Sequence, residues 1–347
     1  MAKKALLVGI NYPGTSNELR GCVNDVNAVK TVLQNIYKFD NITMLTDNEA
    51  TTANMLSELE TLVANPAPGD VLYFHYSGHG SQMYDNWDDD YEPDGLDEII
   101  CPVDLDWNTK VIRDDDLKRI FDKVPNGVSL TVTLDCCNSG GALDQENQYQ
   151  SLGDARTEGK AGRFMPIPED MAAPQLKLME GKVKPRALQS PRDVDNTGLL
   201  ISGCQSHQTS ADAYINGTYM GACTYALLKL LSDYNYDLSY KQLIDKMNIF
   251  MSVQGYSQRP ELNGSETLFD HKFLESSTAG SVVSESTIII SNDSEELFTP
   301  ADEAMEVETE ESVTPDPIVE PENNTYKWIG GILIIAAILL AAGVFTG

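Results

Sequence analysis

The stretch VLYFHYSGHG, residues 71–80, is an apolar run that leads directly into a Ser-Gly-His-Gly turn. A Pro-Gly pair shortly before it is a turn signal, so the run is predicted to be a buried strand. Glycines on both sides of His79 let the backbone bend and approach a ligand closely. We expect His75 in the core and His79 at the tip of the strand, where its imidazole can exchange protons.

A second apolar run, TVTLDCCNSGG at residues 131–141, ends in the same way, with two cysteines followed by glycines. Cysteine is a nucleophile only as a thiolate, so a catalytic cysteine needs a base or a cation beside it. Because parallel strands end at one edge of a sheet, His79 and a cysteine can meet there. Each motif alone is most often structural, but the two together favour a catalytic pair.

Strand and helix patterns alternate on both sides of these motifs. Such alternation is typical of an α/β fold with a mostly parallel sheet covered by helices on both faces. Strands are predicted at residues 5–10, 41–45, 70–76, 98–103, 128–136 and 198–203, and helices at 24–36, 51–64, 114–124, 219–234 and 239–253.

Composition excludes several classes of function. The chain has 347 residues, with 24 basic and 53 acidic side chains and a formal net charge of −29. A protein this acidic is not expected to bind nucleic acid, which needs a basic face. Its six cysteines are scattered and form no CxxC pair, which argues against a disulfide scaffold and against a structural zinc site.

The C-terminal part has a different character. Residues 276–325 are acidic and rich in Pro, Ser and Thr, without Lys or Arg, and are predicted to be a disordered stalk. The apolar run WIGGILIIAAILLAAGVF at 328–345 approaches the roughly 20 residues that cross a bilayer. With no signal peptide predicted, we interpret 326–345 as a transmembrane tail anchor that leaves the catalytic domain in the cytoplasm.

Hydrophobic periodicity disappears between residues 141 and 196. This stretch is polar and holds eight of the 24 basic residues of the chain. They are Arg156, Lys160, Arg163, Lys177, Lys182, Lys184, Arg186 and Arg192. A loop this long inside a compact domain is usually functional or disordered.

The motifs YSGHG at 76–80 and DCCNSG at 135–140 together resemble the metacaspases, caspase-like cysteine peptidases of the caspase–hemoglobinase fold. The chain is similar to the type I members. Further matching motifs are LRGCVNDV at 19–26, DGLDEIICPVD at 94–104, IRDDDL at 112–117, ISGCQSHQTSADA at 201–213, GACTYALLKLL at 221–231 and YSQRPELNG at 256–264. One departure is Asn138, where the family usually has His.

The resemblance also implies a division of the chain. Residues 1–144 correspond to a p20-like catalytic part and residues 198–275 to a p10-like part. Residues 145–197 then form a flexible basic linker, which is a candidate region for self-cleavage.

The resemblance implies roles for single residues. Cys137 matches the nucleophile and His79 the catalytic base, with the backbone N–H groups of Gly80 and Cys137 as oxyanion donors. Because neighbouring strand residues face opposite ways, Cys136 is expected in the core. The pocket for the residue before the cut would be lined by Cys22, Asp25, Ser77 and Asp135.

Two carboxylates in one small pocket favour a cationic guest. Arginine or lysine before the cut supplies that charge, and arginine can also bind in a bidentate manner. Cleavage after aspartate is electrostatically disfavoured in such a pocket. The basic linker therefore holds suitable targets for its own peptidase.

The resemblance further implies bound calcium. The acidic run at 85–98 does not fit an EF-hand, because the twelfth position counted from Asp90 is Cys101 and not Glu. In metacaspases the ion is held by aspartates from separate segments. The matching residues here are Asp94, Asp114, Asp115 and Asp144.

Two functions from different classes are consistent with the sequence. The leading hypothesis is a calcium-dependent, membrane-tethered cysteine endopeptidase that cleaves proteins after Arg or Lys with a monomeric catalytic domain. The alternative, favoured by Asn138, is a catalytically weak caspase-fold protein that acts as a calcium-responsive binding or scaffold module at a membrane.

Overall fold

The structure is a computed structural model, and it describes residues 1–84, 96–137, 160–168, 170–171, 198–205 and 208–276. Strands and helices are numbered in chain order. The strands are β1 Lys3–Gly9, β2 Asn41–Thr46, β3 Val71–Ser77, β4 Gly80–Tyr84, β5 Leu96–Ile100, β6 Ile112–Arg113, β7 Ser129–Asp135, β8 Lys160–Gly162, β9 Gly198–Ser202, β10 Ala211–Ile215, β11 Thr218–Gly221 and β12 Glu261–Gly264. The helices are α1 Cys22–Asn35, α2 Thr52–Leu62, α3 Asp114–Phe121, α4 Ala222–Asp233 and α5 Tyr240–Val253.

A six-stranded sheet in the order β12-β9-β7-β3-β1-β2 forms the centre of the molecule. Its strands pair in parallel, apart from β12, which runs antiparallel to β9 at one edge. The apolar strands and the parallel order confirm the α/β prediction.

Helices cover both faces of this sheet. Along β1, Leu6 and Val8 pack into an apolar cluster with side chains of α2 and α3. Ala5 and Leu7 point the other way, into a second cluster with α1, α4 and α5. This alternation follows from the two-residue period of a strand, and it buries the sheet on both sides.

Two small antiparallel sheets were not predicted as such, although the predicted strand at 98–103 overlaps β5, which ends at Ile100 and lies outside the central sheet. One has the order β4-β5-β6 and the other the order β11-β10-β8. Both lie in sequence beyond the ends of central strands, where short elements carry little periodic signal.

The predicted helix at 219–234 is wrong at its start. Residues Thr218–Gly221 form β11, and the helix begins only at Ala222. Asn216 and Gly217 both have positive φ, 50° and 92°, and turn β10 back into β11. An Asn-Gly pair is the preferred sequence for such a two-residue hairpin turn, so the signal was present.

Among the described residues, none of the helices is both long enough and apolar enough to cross a membrane. The predicted tail anchor at 326–345 and the predicted stalk at 276–325 lie outside the described residues, apart from Ser276.

Candidate active site

The predicted catalytic residues follow two neighbouring strands of the central sheet. Strands β3 and β7 pair in parallel, with Ser77 opposite Asp135 at their carboxyl ends. His79 follows β3 by two residues and Cys137 follows β7 by two residues. The two side chains therefore lie at the same edge of the sheet, as the sequence predicted.

His79 is held by three backbone contacts and one ring contact. Its N–H donates to the hydroxyl of Tyr12 at 3.1 Å, and its carbonyl accepts from the hydroxyl of Tyr76 at 2.6 Å. The backbone N–H of Cys101 also donates to that carbonyl, at 3.0 Å. The Tyr12 ring lies 4.9 Å from the imidazole between centroids. These contacts fix the orientation of the histidine.

The tautomer of His79 follows from its hydrogen bond to Asn17. Nε2 lies 2.8 Å from the carbonyl oxygen of Asn17, which can only accept, so Nε2 carries the proton. Nδ1 is then the basic nitrogen, and it is buried without a hydrogen-bond partner. Burial lowers the pKa of His79 to about 4, and the nearby Arg163 charge acts in the same direction.

Cys137 is completely buried. Its Sγ accepts a hydrogen bond from the backbone N–H of Ser210 at 2.7 Å. Burial raises the pKa of this thiol, and the neighbouring Cys204 adds to the effect. Both members of the predicted pair are therefore uncharged while the site is covered.

The covering group is a side chain of the same protein, Arg163. Its guanidinium lies in the predicted pocket and is fully buried. Nη2 donates to Asp25 at 2.7 Å and to Asp212 at 2.9 Å. Nη1 lies 3.2 Å from Asp135 and donates to the hydroxyl of Ser77 at 2.7 Å. Three carboxylates thus surround one cation.

Each carboxylate is held in place by backbone N–H groups. Asp25 accepts from the N–H of Gly221, which precedes α4, at 2.9 Å. Asp135 accepts from the N–H and the hydroxyl of Thr224 in the first turn of the same helix. The N-terminus of a helix stabilises negative charge, so α4 supports two of the three acids.

Asp212 is held from the other side of the pocket. It accepts from the backbone N–H groups of Arg20 and Gly21 just before α1, each at 2.9 Å. Glycine at position 221 leaves room for this ion pair, since a Cβ there would collide with the side chains of Asp135 and Arg163. Close approach of backbone and side chains is what allows three acids to converge on one guest.

The charges in this cluster shift each other's ionisation. Burial raises the pKa of Asp25 to about 7, with Arg163 opposing the shift and Asp135 adding to it. Burial also disfavours ionised Asp135, but Arg163 and the hydrogen bonds from Thr224 and Ser210 outweigh it and lower its pKa. For Arg163, the three acids outweigh burial and raise the pKa. The Arg163 guanidinium in the pocket is therefore charged.

The backbone of Arg163 is bound as well as its side chain. Its carbonyl oxygen accepts from the N–H of Gly80 at 3.0 Å and from the N–H of Cys137 at 3.2 Å. Its own N–H donates to the carbonyl of Ser210 at 2.9 Å. Before it, β8 pairs antiparallel with β10. Arg163 thus occupies the pocket predicted for the residue before the cut, with its carbonyl on the two predicted oxyanion donors.

The remaining predicted residues are placed as follows. Cys22 is buried beside the pocket, and burial raises the pKa of its thiol. Cys136 lies in the apolar cluster between the central sheet and helices α2 and α3, as expected from strand alternation. His75 is buried inside β3, with its ring nitrogens near the hydroxyls of Tyr73 and Thr224.

The predicted calcium ligands are only partly described. Asp114 and Asp115 open α3, and their carboxylates are the ligand type that calcium prefers. Asp94 and Asp144 lie outside the described residues, as does Asn138. Within the described part of the chain, no group of three or more His, Cys, Asp or Glu side chains has an arrangement that could hold a metal ion.

Sequence reasoning missed Asp212, Ser210 and the particular role of Arg163. Asp212 belongs to the motif ISGCQSHQTSADA, but its position depends on the β10–β11 hairpin. Arg163 was one of eight basic residues in an aperiodic stretch, and nothing in its local sequence distinguishes it from the other seven.

Fold and site are consistent with a caspase-like protein. A family model described as the metacaspase peptidase C14 domain matches residues 3–146. Proteins named Metacaspase-1 are similar: that of Candida albicans is 38% identical over 77% of this chain and 65% of its own length. That of Meyerozyma guilliermondii is 36% identical over 76% of this chain and 69% of its own length. The chain therefore belongs to the metacaspase family.

A solved structure supports the fold assignment. The crystal structure of a protein from Geobacter sulfurreducens superimposes with a TM-score of 0.57 at 26% identity, covering 80% of this chain and 99% of that one. The chain spans about two thirds of the length of the curated relatives that it matches.

Proposed function

We propose that this protein is a cysteine endopeptidase that cleaves polypeptides after arginine or lysine. The observation that carries the proposal is Arg163, whose side chain contacts Asp25, Asp135 and Asp212 while its carbonyl accepts from Gly80 and Cys137. One residue thus engages a cation pocket and two carbonyl-binding N–H groups at once. A peptidase that cleaves after a basic residue needs this combination to align the scissile bond.

In the proposed mechanism, Nδ1 of His79 takes the proton from the thiol of Cys137. The sulfur attacks the carbonyl carbon of the residue in the pocket, and the C=O electrons move onto oxygen. The N–H groups of Gly80 and Cys137 stabilise that oxyanion. The C–N bond breaks, His79 returns the proton to the leaving amine, and water then hydrolyses the thioester with His79 as base.

The preference for a basic residue follows from charge. An arginine guanidinium presents several donors in a fixed plane, and here it satisfies three acids and the hydroxyl of Ser77. Lysine offers the charge with fewer directed contacts, so we place it second. An aspartate before the cut would bring a fourth carboxylate into the cluster, which like-charge repulsion opposes.

The first substrate in this proposal is the chain itself. The bond between Arg163 and Phe164 has its carbonyl on Gly80 and Cys137, within the predicted linker 145–197. Until that bond is cut and the segment leaves, Arg163 blocks the pocket against other substrates. Cleavage at this position would therefore convert a resting form into one that accepts external polypeptides.

Calcium dependence is a further part of the proposal. Asp114 and Asp115 offer hard oxygen ligands at the start of α3. Cross-strand pairing links this place to the site, because Ile112 lies opposite Ile100, which lies opposite Gly80. When bound, calcium supplies positive charge that offsets repulsion among these acids.

Membrane tethering through residues 326–345, with the peptidase on the cytoplasmic side, completes the proposed function. It rests on the length and apolar character of that run. Deletion of 326–347 is expected to release the protein into the soluble fraction with its peptidase activity intact. Sedimentation of the truncated protein with washed membranes would contradict the anchor.

The central experiment compares fluorogenic peptides that end in Arg, Lys or Asp, each with calcium and with a chelator. We expect hydrolysis in the order Arg, Lys and then Asp, with little activity in chelator. Preferred hydrolysis after Asp would overturn the specificity. Absence of hydrolysis of all three peptides with calcium would favour the binding or scaffold role.

A further inference from the structure

Directly after Arg163, Phe164 forms a β-bridge with Gly80, and the side chains that follow differ in burial. Met165 is buried and Ile167 is half-buried, and both pack against the apolar cluster below the central sheet. Phe164 is half-buried, whereas Pro166 is exposed. Met165 is therefore the most deeply buried side chain among residues 164–167, and its neighbour Pro166 faces solvent.

We propose that the surface under Met165 is a subsite that selects substrates with a large apolar side chain at the second residue after the cut. This inference rests on the proposed function, since it takes the bond after Arg163 as the one to be cleaved. A good substrate would then carry a basic residue before the cut and a large apolar residue at the second position after it.

The backbone fixes which residue reaches this subsite. Gly80 donates its N–H to the carbonyl of Arg163 and accepts the N–H of Met165 at its own carbonyl, both at 3.0 Å. It forms a parallel bridge with Phe164, which lies between them. One residue of the enzyme therefore binds the chain on both sides of the scissile bond. The second residue after the cut cannot shift without losing one of these bonds.

The surroundings of the Met165 side chain define its chemistry. Met165 is 8% exposed and belongs to the cluster that contains Met83, Ile100 and Leu134. A carboxylate or ammonium group placed in this apolar cluster would lose its hydration, and the apolar side chains would offer no compensating hydrogen bond. An unbranched or γ-branched apolar side chain can adapt to such a surface. Methionine and leucine are the expected residues.

The test uses the full-length protein with calcium and internally quenched peptides of one sequence. Each has arginine before the cut, and the second residue after the cut is Met, Leu, Asp or Lys. We expect kcat/KM for the Met and Leu peptides to exceed that for the Asp and Lys peptides by about tenfold or more. Equal kcat/KM for all four would overturn the subsite.

A coumarin peptide that ends in arginine separates this outcome from a failure of the proposed function. It has no amino acid after the cut, so its hydrolysis depends on the arginine pocket alone. If coumarin is released but the four quenched peptides have equal kcat/KM, the subsite is wrong and the proposed function stands. Absence of both activities removes both proposals.

Self-cleavage gives a second measurement on the natural segment. Met165→Asp is expected to slow cleavage after Arg163 by about tenfold or more, and Met165→Leu should cleave faster than Met165→Asp. Pro166→Asp places the same charge on the neighbouring exposed position and is the matched control. If Met165→Asp and Pro166→Asp are slowed equally, charge in the segment is responsible, and the subsite is wrong.

Discussion

The carbonyl oxygen of Arg163 lies 3.2 Å from the backbone nitrogen of Cys137 and accepts its N–H. The residue that fills the cation pocket is thus also presented to the thiol that follows β7. In this arrangement the residues around Arg163 are held as the proposed mechanism would hold a substrate, with the peptide bond intact. Several consequences can be measured.

Self-cleavage should occur at one bond. Purified protein with calcium is expected to yield a new N-terminus at Phe164, because only Arg163 combines a buried guanidinium with a bound carbonyl among the described residues. Mass spectrometry of the products locates the cut. Arg163→Ala should lose this product, and Lys160→Ala, which removes a nearby charge from the same segment, should retain it.

A contaminating peptidase must be excluded in that experiment. Cys137→Ala lacks the proposed nucleophile and should stay intact under the same conditions. Appearance of the Phe164 terminus in Cys137→Ala would show that another enzyme makes the cut and would end the claim of self-cleavage.

Cys136 and Cys137 should differ sharply in peptide hydrolysis. Cys137→Ala is expected to be inactive, because it removes the proposed nucleophile. Cys136→Ala should keep most of its activity and lose only about 1 kcal/mol of stability, since it removes one small group from the apolar cluster. An inactive Cys136→Ala beside an active Cys137→Ala would reverse the assignment.

Asp212 should contribute to the choice of substrate as much as the two predicted acids. Asp212→Asn keeps the shape but removes a charge-assisted hydrogen bond that is 2.9 Å long. Such a loss costs about 1.5–3 kcal/mol, or roughly one to two decades in kcat/KM for arginine peptides. Asp122→Asn, which changes an exposed acid on the surface beyond α3, serves as control. Equal kcat/KM in the two variants would show that Asp212 does not contribute to the binding of arginine.

Stability should fall on acidification because His79 is buried in its neutral form. Its pKa is about 4 in the folded protein and ordinarily about 6.5, so the unfolded chain binds more protons between these values. The free energy of unfolding therefore decreases as pH falls from 6.5 to 4. The full contribution of this group is about 3 kcal/mol.

Urea denaturation at several pH values measures this contribution of His79 to the free energy of unfolding. Cys137→Ala serves as the background, so that self-cleavage does not intervene. Adding His79→Gln should make the decrease between pH 6.5 and 4 shallower. His271→Gln is the control, because it also removes one histidine but leaves the site unchanged. An unchanged pH dependence in His79→Gln would contradict a buried neutral imidazole.

The parts of the site that lie at strand ends were predictable from sequence. Buried apolar runs followed by glycines located His79 and Cys137, and the metacaspase motifs added Asp25 and Asp135. The position of Asp212 depends on how a short hairpin packs against the start of α1. Arg163 depends on a three-residue strand paired with β10. Interactions this distant in sequence leave no periodic pattern around either residue.

The central sheet takes strands from both sides of the proposed cut. Strands β9 and β12 follow Phe164 in the chain, yet β9 pairs with β7 in parallel over five residues, and β12 pairs with β9. Cutting after Arg163 therefore breaks the chain without removing any pairing of this sheet. Two separately produced polypeptides, one ending at Arg163 and the other beginning at Phe164, should thus assemble by fragment complementation into a single body with one active site.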